Sequence, residues 1–466
     1  MKQKHLAGRR LFGPSSFYQS TMMLAVPVMA QSLIQNLVSL IDNFMVSGLG
    51  DVKMSGVNIS GQLLFVFMVL LNAVCGAGGI YLTQFFGAKN RHGMQQSVCF
   101  KLLVTSVMFL LYLLVTMVMP RTFLGLMVVG NTQAEPILDV AQEYMFFMGF
   151  MGLPMTISAI LASSLRETGE VKAPLVISII ATLINTFFNW VLIYGNLGAP
   201  RLEVRGAAYA TIIARVSEML IYCLYIRSRK PDFMPDVKAL CHIDWHLFGE
   251  ILKKGSMVIF SEMLWVISET ITTALYNGRG GADVVSGMSS SFAIANLYFV
   301  AFGGVYTATS VIIGKLLGEG KLEEAREKKT WLFSGSMIFG LFMTVFGLAT
   351  MLLIPVVFGA LSTAAQEICR SMVFWMVLFM PVWVFNNTEF AVSRAGGDTG
   401  MGMAIDGIGA LIVVPMTFAL AIYTGVGPVA MYILVKLVDV AKTAAAWVWL
   451  RRERWLVNLT TQSNGV

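Results

Sequence analysis

Several small sets of polar residues stand inside otherwise apolar stretches, and their spacing limits the chemistry open to them. Gln31, Gln35, Ser39 and Asp42 recur every three or four residues in AQSLIQNLVSLIDNFMVSG. On a helix, at about 100° per residue, they share one face. Ser178, Thr182, Asn185 and Asn189 form a second stripe, and Thr211 lies near the start of a third apolar stretch. A carboxylate, two amides and a hydroxyl brought together make an oxygen-rich nest, suited to a hard cation or a proton. Na⁺ at Asp42 is the one metal ion expected. The four histidines, His5, His92, His242 and His246, fall in polar segments, and no Cys/His ligand spacing is present.

A second group lies in the other half of the chain. Glu262 and Glu269 are seven apart in SEMLWVISET, with Trp265 and Thr273 beside their shared face. Asp406 interrupts another apolar stretch, and Asn386, Asn387 and Glu389 cluster in a further one. Acids beside aromatic and methionine-rich walls suit bulky cationic, amphipathic ligands, through charge pairing and cation–π contact. The 31 methionines fit an adaptable surface. Glu262, Glu269, Asp406 and Asn386 are therefore candidates for substrate or ion. Arg215 with Glu218, and Asp439 with Lys436 and Lys442, have opposite charges three apart and read as local neutralising pairs.

The elements that must position these groups follow from composition. Of 466 residues, 56% are hydrophobic and only 13% charged, with a mean hydropathy of +0.73. Soluble domains carry about 25% charged residues. A soluble protein this apolar could not cover its surface, so the expected solvent is the bilayer. Twelve apolar runs are long enough to cross about 30 Å of hydrocarbon as helices. They are 17–47, 54–86, 96–119, 137–163, 172–196, 205–227, 250–277, 285–316, 330–358, 366–393, 400–424 and 426–450. The runs lack the period-2 alternation of barrel strands. The fold class expected is an all-α polytopic membrane protein. In this setting a lone acid such as Asp42 faces the bundle interior or water and marks an ion path.

Orientation follows from charge. With the N-terminus inside, 24 of the 33 basic residues fall on the inner side and five in outer loops. The positive-inside rule then puts both termini in the cytoplasm and Asp42, Asn189 and Thr211 in the outer half. Orientation explains the net charge of +7, so no nucleic-acid partner is called for. MKQKHLAGRRLFGPSS is basic and polar, and the apolar run after it exceeds 20 residues, unlike a cleavable leader. Cys75, Cys99, Cys223, Cys241 and Cys369 are odd in number and four lie in apolar runs, which predicts packing rather than disulfides.

The chain repeats itself. SGVNISGQLLFVFMVLLNAVCGAGGIYLTQFFGAKN, from Ser55, parallels SGMSSSFAIANLYFVAFGGVYTATSVIIGKLLGEGK, from Ser286. Gly56 aligns with Gly287 and Gly87 with Gly318; later, Arg166 matches Arg394 and Gly169 matches Gly397. The division expected is an N-lobe of helices 1–6 over 1–228, a cytoplasmic linker over 229–249, and a C-lobe of helices 7–12 over 250–466. Six spans per copy makes the repeat parallel, with a pseudo-twofold axis along the membrane normal. Two such lobes enclose a cavity that can open to either side, as in a transporter. No GxxxxGK[ST] loop, nucleophile elbow or metal-protease signature occurs. An enzyme and ATP drive within the chain are not expected, and no cofactor is called for. An ion gradient is the energy source that the intramembrane polar groups fit.

The segments AVPVMAQSLIQNLVSLIDNFMVSGLG, QFFGAKN, SLRETGEVKAPLVISIIATLINTFFNWVLIYG, GAAYATIIA, SEMLWVISET, IIGKLLGEG and SRAGGDTG together resemble the multidrug and toxic compound extrusion family. That family lies within the multidrug/oligosaccharidyl-lipid/polysaccharide exporter superfamily. The resemblance runs from about residue 17 to 450. It implies twelve helices in two lobes forming a V around a central cavity, and antiport of organic cations against Na⁺ or H⁺. Asp42 matches the family's first-helix acid, and Pro27 its bending proline, the implied hinge. Asn185 and Thr211 match positions of the N-lobe cation site, whereas Asn189 departs from members that carry Asp there. Glu262 matches a seventh-helix Glu, and Asp406 resembles an eleventh-helix Asp of one branch. The tenth-helix Asp of other branches is replaced by the Asn386–Asn387 region.

The expectation is thus a bacterial inner-membrane antiporter, monomeric, with small organic cations and membrane lipids as partners. Its rivals are a flippase for lipid-linked intermediates, which needs a cationic cavity, and a membrane sensor without transport. Beyond the basic residues counted on the inner side or in outer loops, only Arg215, Arg370, Lys436 and Lys442 remain for the spans, which weighs against the flippase.

Overall fold

The computed structural model describes residues 11–47, 51–125, 134–236, 239–240, 242–359 and 361–462. Lys2, Lys4, Arg9, Arg10 and Lys238, counted above for orientation, lie outside them, as do His5 and Cys241. The described chain forms helices and turns and contains no strand. Twelve helices are long: α1 (Ser15–Ser47), α2 (Asp51–Gly87), α3 (Arg91–Val118), α4 (Ala134–Glu167), α5 (Lys172–Tyr194) and α6 (Glu203–Arg229), then α7 (Trp245–Asn277), α8 (Ala282–Gly318), α9 (Leu322–Thr350), α10 (Thr363–Ala395), α11 (Thr399–Tyr423) and α12 (Pro428–Leu450). Eleven of these are long and apolar enough to cross a membrane. The one that is not, α12, carries Lys436, Asp439 and Lys442 within two turns. The chain is a multi-pass membrane protein.

Local chemistry explains where elements start. Asn90 caps α3, its side chain accepting from the Gly93 amide at 3.0 Å. This cap starts α3 at Arg91, five residues before the apolar run expected at 96. The expected ninth span, 330–358, is also corrected. Helix α9 begins at Leu322, because Glu323 and Glu324 favour its first turn and pair with Arg326 and Lys328. It ends at Thr350, and Pro355 belongs to a separate short helix, Ile354–Val357.

Two compact units are present. One comprises Ala30–Leu82 and Asn90–Leu252; the other comprises Met1–Met29, Thr83–Lys89 and Lys253–Val466, each within the described residues. Helix α1 runs unbroken through Pro27 and passes from one unit to the other between Met29 and Ala30.

The repeat glycines have a packing reason. In the second unit, a Cβ on Gly87 would overlap the Lys315 carbonyl, and one on Gly318 would overlap the Gln84 carbonyl. The ends of α2 and α8 therefore cross backbone to backbone, with exchanged partners at repeat-related positions. Gly318→Ala is expected to cost about 1–3 kcal/mol, since backbone cannot step aside as a flexible side chain can. Thermal unfolding in detergent checks this, with Gly61→Ala as control, because Gly61 has open space around it.

Candidate functional site

In the first unit, helix α5 buries Ser178, Asn185 and Asn189 along one stripe. It ends at Gly195, which adopts φ +77° as a left-handed cap. The chain then returns as α6, where a Cβ on Gly206 would meet the Leu192 carbonyl at 2.5 Å. That close approach brings Thr211 of α6 against the polar stripe of α5.

Asp42, Asn185, Asn189 and Thr211 lie together in this unit. Asn189 Nδ2 donates to Asp42 Oδ1 at 2.5 Å and reaches Asn185 Oδ1 at 3.2 Å. Asn185 Nδ2 donates to Thr211 Oγ1 at 3.4 Å, and Thr211 Oγ1 donates to the Ala207 carbonyl at 2.9 Å. Asn189 Oδ1 is buried without a hydrogen-bond partner. Such an acceptor is costly unless something else meets it. A small cavity of about 70 Å³ opens here, with Gln35, Asp42, Ser178, Thr182, Asn185 and Thr211 among its lining residues. The arrangement offers a carboxylate, amide and hydroxyl oxygens and one orphan acceptor, a donor set that fits a proton or a hard cation.

Two of the proposed cavity-lining residues do not line this cavity. Gln31 accepts from Arg166 Nη1 at 3.4 Å. It shares the face of Asp42 but lies eleven residues, or about 16 Å, down the helix axis. Ser39 is exposed, about 60° round the helix from Asp42. Conversely, Arg215 and Glu218, ion-paired at 2.8 Å as expected for a local pair, both stand on the cavity wall. Their i,i+3 spacing gave no sign that they share a cavity wall with Asp42.

The second unit holds the remaining candidates, and there every candidate acid has a basic partner. Arg394 Nη1 meets Glu262 Oε1 at 2.7 Å, and Arg394 Nη2 reaches Ser261 Oγ at 3.5 Å. Ser261 Oγ donates to Asp406 Oδ2 at 2.5 Å, and Lys442 Nζ lies 2.9 Å from Asp406 Oδ1. Glu262, Arg394, Ser261, Asp406 and Lys442 thus form one continuous chain across α7, α10, α11 and α12. Gly409 of α11 makes room for the Lys442 stem, which a Cβ there would meet at 3.1 Å. Lys436 pairs with Glu269.

These pairs correct the local reading of Asp439 with Lys436 and Lys442. Both lysines leave Asp439 and reach across to acids of α7 and α11, while Asp439 Oδ2 accepts from Trp383 Nε1 at 2.9 Å. A helix interface excludes water, so a cross-helix carboxylate outcompetes a neighbour on the same helix. The signal was present in the counts, because Glu262, Glu269 and Asp406 are matched by Arg394, Lys436 and Lys442. Asn386 faces Glu389 at 3.5 Å, and Asn387 Nδ2 donates to the Phe302 carbonyl at 2.8 Å. Glu389 is fully buried, and its Oε1 has no hydrogen-bond partner.

Comparison with known proteins gives these sites a context. A family model described as MatE matches residues 27–191 and again 258–419, together more than half of the chain. "Probable multidrug resistance protein NorM" of Thermotoga maritima is 25% identical over 324 residues, 67% of this chain and 66% of that protein. "Probable multidrug resistance protein YoeA" of Bacillus subtilis is 25% identical over 268 residues, 57% of each chain. The chain therefore spans less than two thirds of the length of these two relatives. Among solved structures, "Crystal structure of MATE in complex with MaL6" superposes with a TM-score of 0.82 at 18% identity, covering 94% of this chain and 96% of that one. The fold is shared with that structure, and the paired family matches carry the assignment: the chain belongs to the MatE family.

Proposed function

We propose that this chain is a secondary active antiporter of the bacterial inner membrane, exporting cationic or amphipathic organic compounds in exchange for Na⁺ or H⁺. The observation that carries the reading is the Asp42 nest. A carboxylate held by Asn189 beside an orphan acceptor, at the edge of a cavity in a membrane helix bundle, is the form a coupling-ion site takes. The names of the relatives, multidrug resistance proteins, support the substrate class.

Two six-helix lobes, 1–228 and 250–466, joined by a cytoplasmic linker over 229–249, would alternate access to the two sides. The double match of one family model supports this duplication. Pro27 is the proposed hinge, since it removes a backbone hydrogen bond from the helix that carries Asp42. Both termini are placed in the cytoplasm by loop charge, and the working unit is one chain amid lipid.

A flippase for lipid-linked or other anionic amphiphiles is the second reading. Arg394, Lys436 and Lys442 support it, because Glu262, Glu269 and Asp406 are neutralised rather than free. Ethidium accumulation in cells expressing the chain separates the two. An antiporter lowers accumulation relative to cells without it, and an uncoupler restores it. Unchanged accumulation removes the organic-cation reading and makes lipid-linked phosphates the next substrates to assay.

A further inference from the structure

The surroundings of Lys436 are those of an ammonium-binding site. Its Nζ lies 5.7 Å from the Tyr432 ring centroid and 5.9 Å from that of Trp383, within cation–π range of both. Glu269 forms an ion pair with it. Asp439 accepts from Trp383 Nε1 at 2.9 Å, which fixes the indole plane. The walls are braced from behind. Phe379 stacks on Trp383 at 5.7 Å with 19° between planes, and Tyr276 packs edge-on against Tyr432 at 5.8 Å.

Two aromatic faces beside a bound carboxylate form more apparatus than one structural ion pair needs. A lysine that only neutralised Glu269 could do so without aromatic faces on two sides. The site is also open on one flank. Lys436 is 12% exposed, whereas the Glu269 side chain is 33% exposed, so the acid can be approached from outside while the ammonium sits inward. The occupant is an unbranched four-carbon primary amine carried by the chain itself. It reports the shape and charge of what the site accepts.

We infer that Lys436 is a tethered stand-in ligand, and that the box of Glu269, Trp383 and Tyr432 binds an organic ammonium, with primary alkylammonium groups as the best-fitting class, when Lys436 swings out. A free ammonium then competes with a covalently attached one. The tether supplies a high effective concentration, so the box rejects weak or small amines and opens only to ligands with added apolar contact. Export of such ligands rests on the antiporter reading; the binding site does not.

The test uses the full chain in detergent, with n-butylammonium chloride as probe and thermal unfolding as readout, against equal concentrations of NaCl. Wild type is expected to show no ammonium-specific shift. Lys436→Ala is expected to be stabilised by n-butylammonium in a saturable way, because the probe replaces the missing side chain. Lys436→Ala combined with Glu269→Gln is expected to lose that stabilisation. Lys436→Met, which keeps an apolar stem of similar length, provides a second variant if the alanine form does not fold. For this variant a tetraphenylphosphonium dissociation constant about tenfold lower than that of wild type is expected.

Saturable stabilisation confined to the lysine variants and dependent on Glu269 supports the inference. Equal behaviour of wild type and Lys436→Ala towards n-butylammonium, or unchanged tetraphenylphosphonium affinity in Lys436→Met, overturns it. Binding by the variants in a chain that moves no organic cation would retain this site while removing the efflux reading.

Discussion

Asp42→Asn is expected to abolish coupled efflux while leaving the fold intact. The replacement keeps shape and retains a carbonyl oxygen where Asp42 Oδ1 accepts from Asn189. It removes the one charge that a coupling ion would neutralise. Efflux is expected to fall at least tenfold. Stability is expected to stay within about 1 kcal/mol, because the acid is replaced by a group that asks less of its surroundings. Arg215 and Glu218, on the same cavity wall, neutralise one another and leave Asp42 as the net negative charge there. Dye export and thermal unfolding, measured on the same preparation, check both halves of the prediction. Loss of folding together with loss of export would make Asp42 a structural residue instead.

A different buried charge should produce the largest effect on stability. Lys101 is fully buried on α3, with its Nζ 2.5 Å from Glu167 Oε2, 3.1 Å from Ser163 Oγ and 3.3 Å from Ser164 Oγ. Helix α2 contributes Gly78 and Gly79, where a Cβ would collide with the Lys101 stem or the Glu167 carboxylate. Glu167→Gln leaves the ammonium buried with only neutral partners, an amide oxygen and two serine hydroxyls. The expected cost is about 3–5 kcal/mol, at the lower end because both serines remain. The paired change Lys101→Met with Glu167→Leu removes both charges and should recover most of that loss. Unfolding midpoints of the single and double variants, compared as a cycle, give the answer. A double variant as unstable as the single one would mean that shape, rather than charge, holds these helices.

Sequence spacing and structure agree best where a single helix decides the outcome. Asn185 and Asn189 are one turn apart, so their shared face follows from helical geometry alone, whereas their bonds to Asp42 and Thr211 depend on how α1 and α6 lie against α5. Agreement fails where the register between helices decides. Lys436 and Lys442 could have met Asp439 on their own helix, and only the placement of α7 and α11 beside α12 sends them to Glu269 and Asp406. Gln31 illustrates the same limit, since the shared face was right while its partner, Arg166, comes from another helix. Helix starts governed by caps and charged first turns, at Arg91 and Leu322, escape a search that follows apolar runs. The repeat glycines Gly87 and Gly318 could be aligned as a pattern, but their reason, two backbones crossing, needs the third dimension.

The central claim is exchange of an organic cation for an ion through Asp42. Its most direct measurement is uptake of a fluorescent organic cation by proteoliposomes carrying wild type, with pH and Na⁺ gradients imposed separately, and Asp42→Asn alongside. The account predicts uptake that follows one of the two gradients, collapses when that gradient is dissipated, and is absent in Asp42→Asn. Dye movement indifferent to both gradients, or equal in wild type and Asp42→Asn, would contradict it.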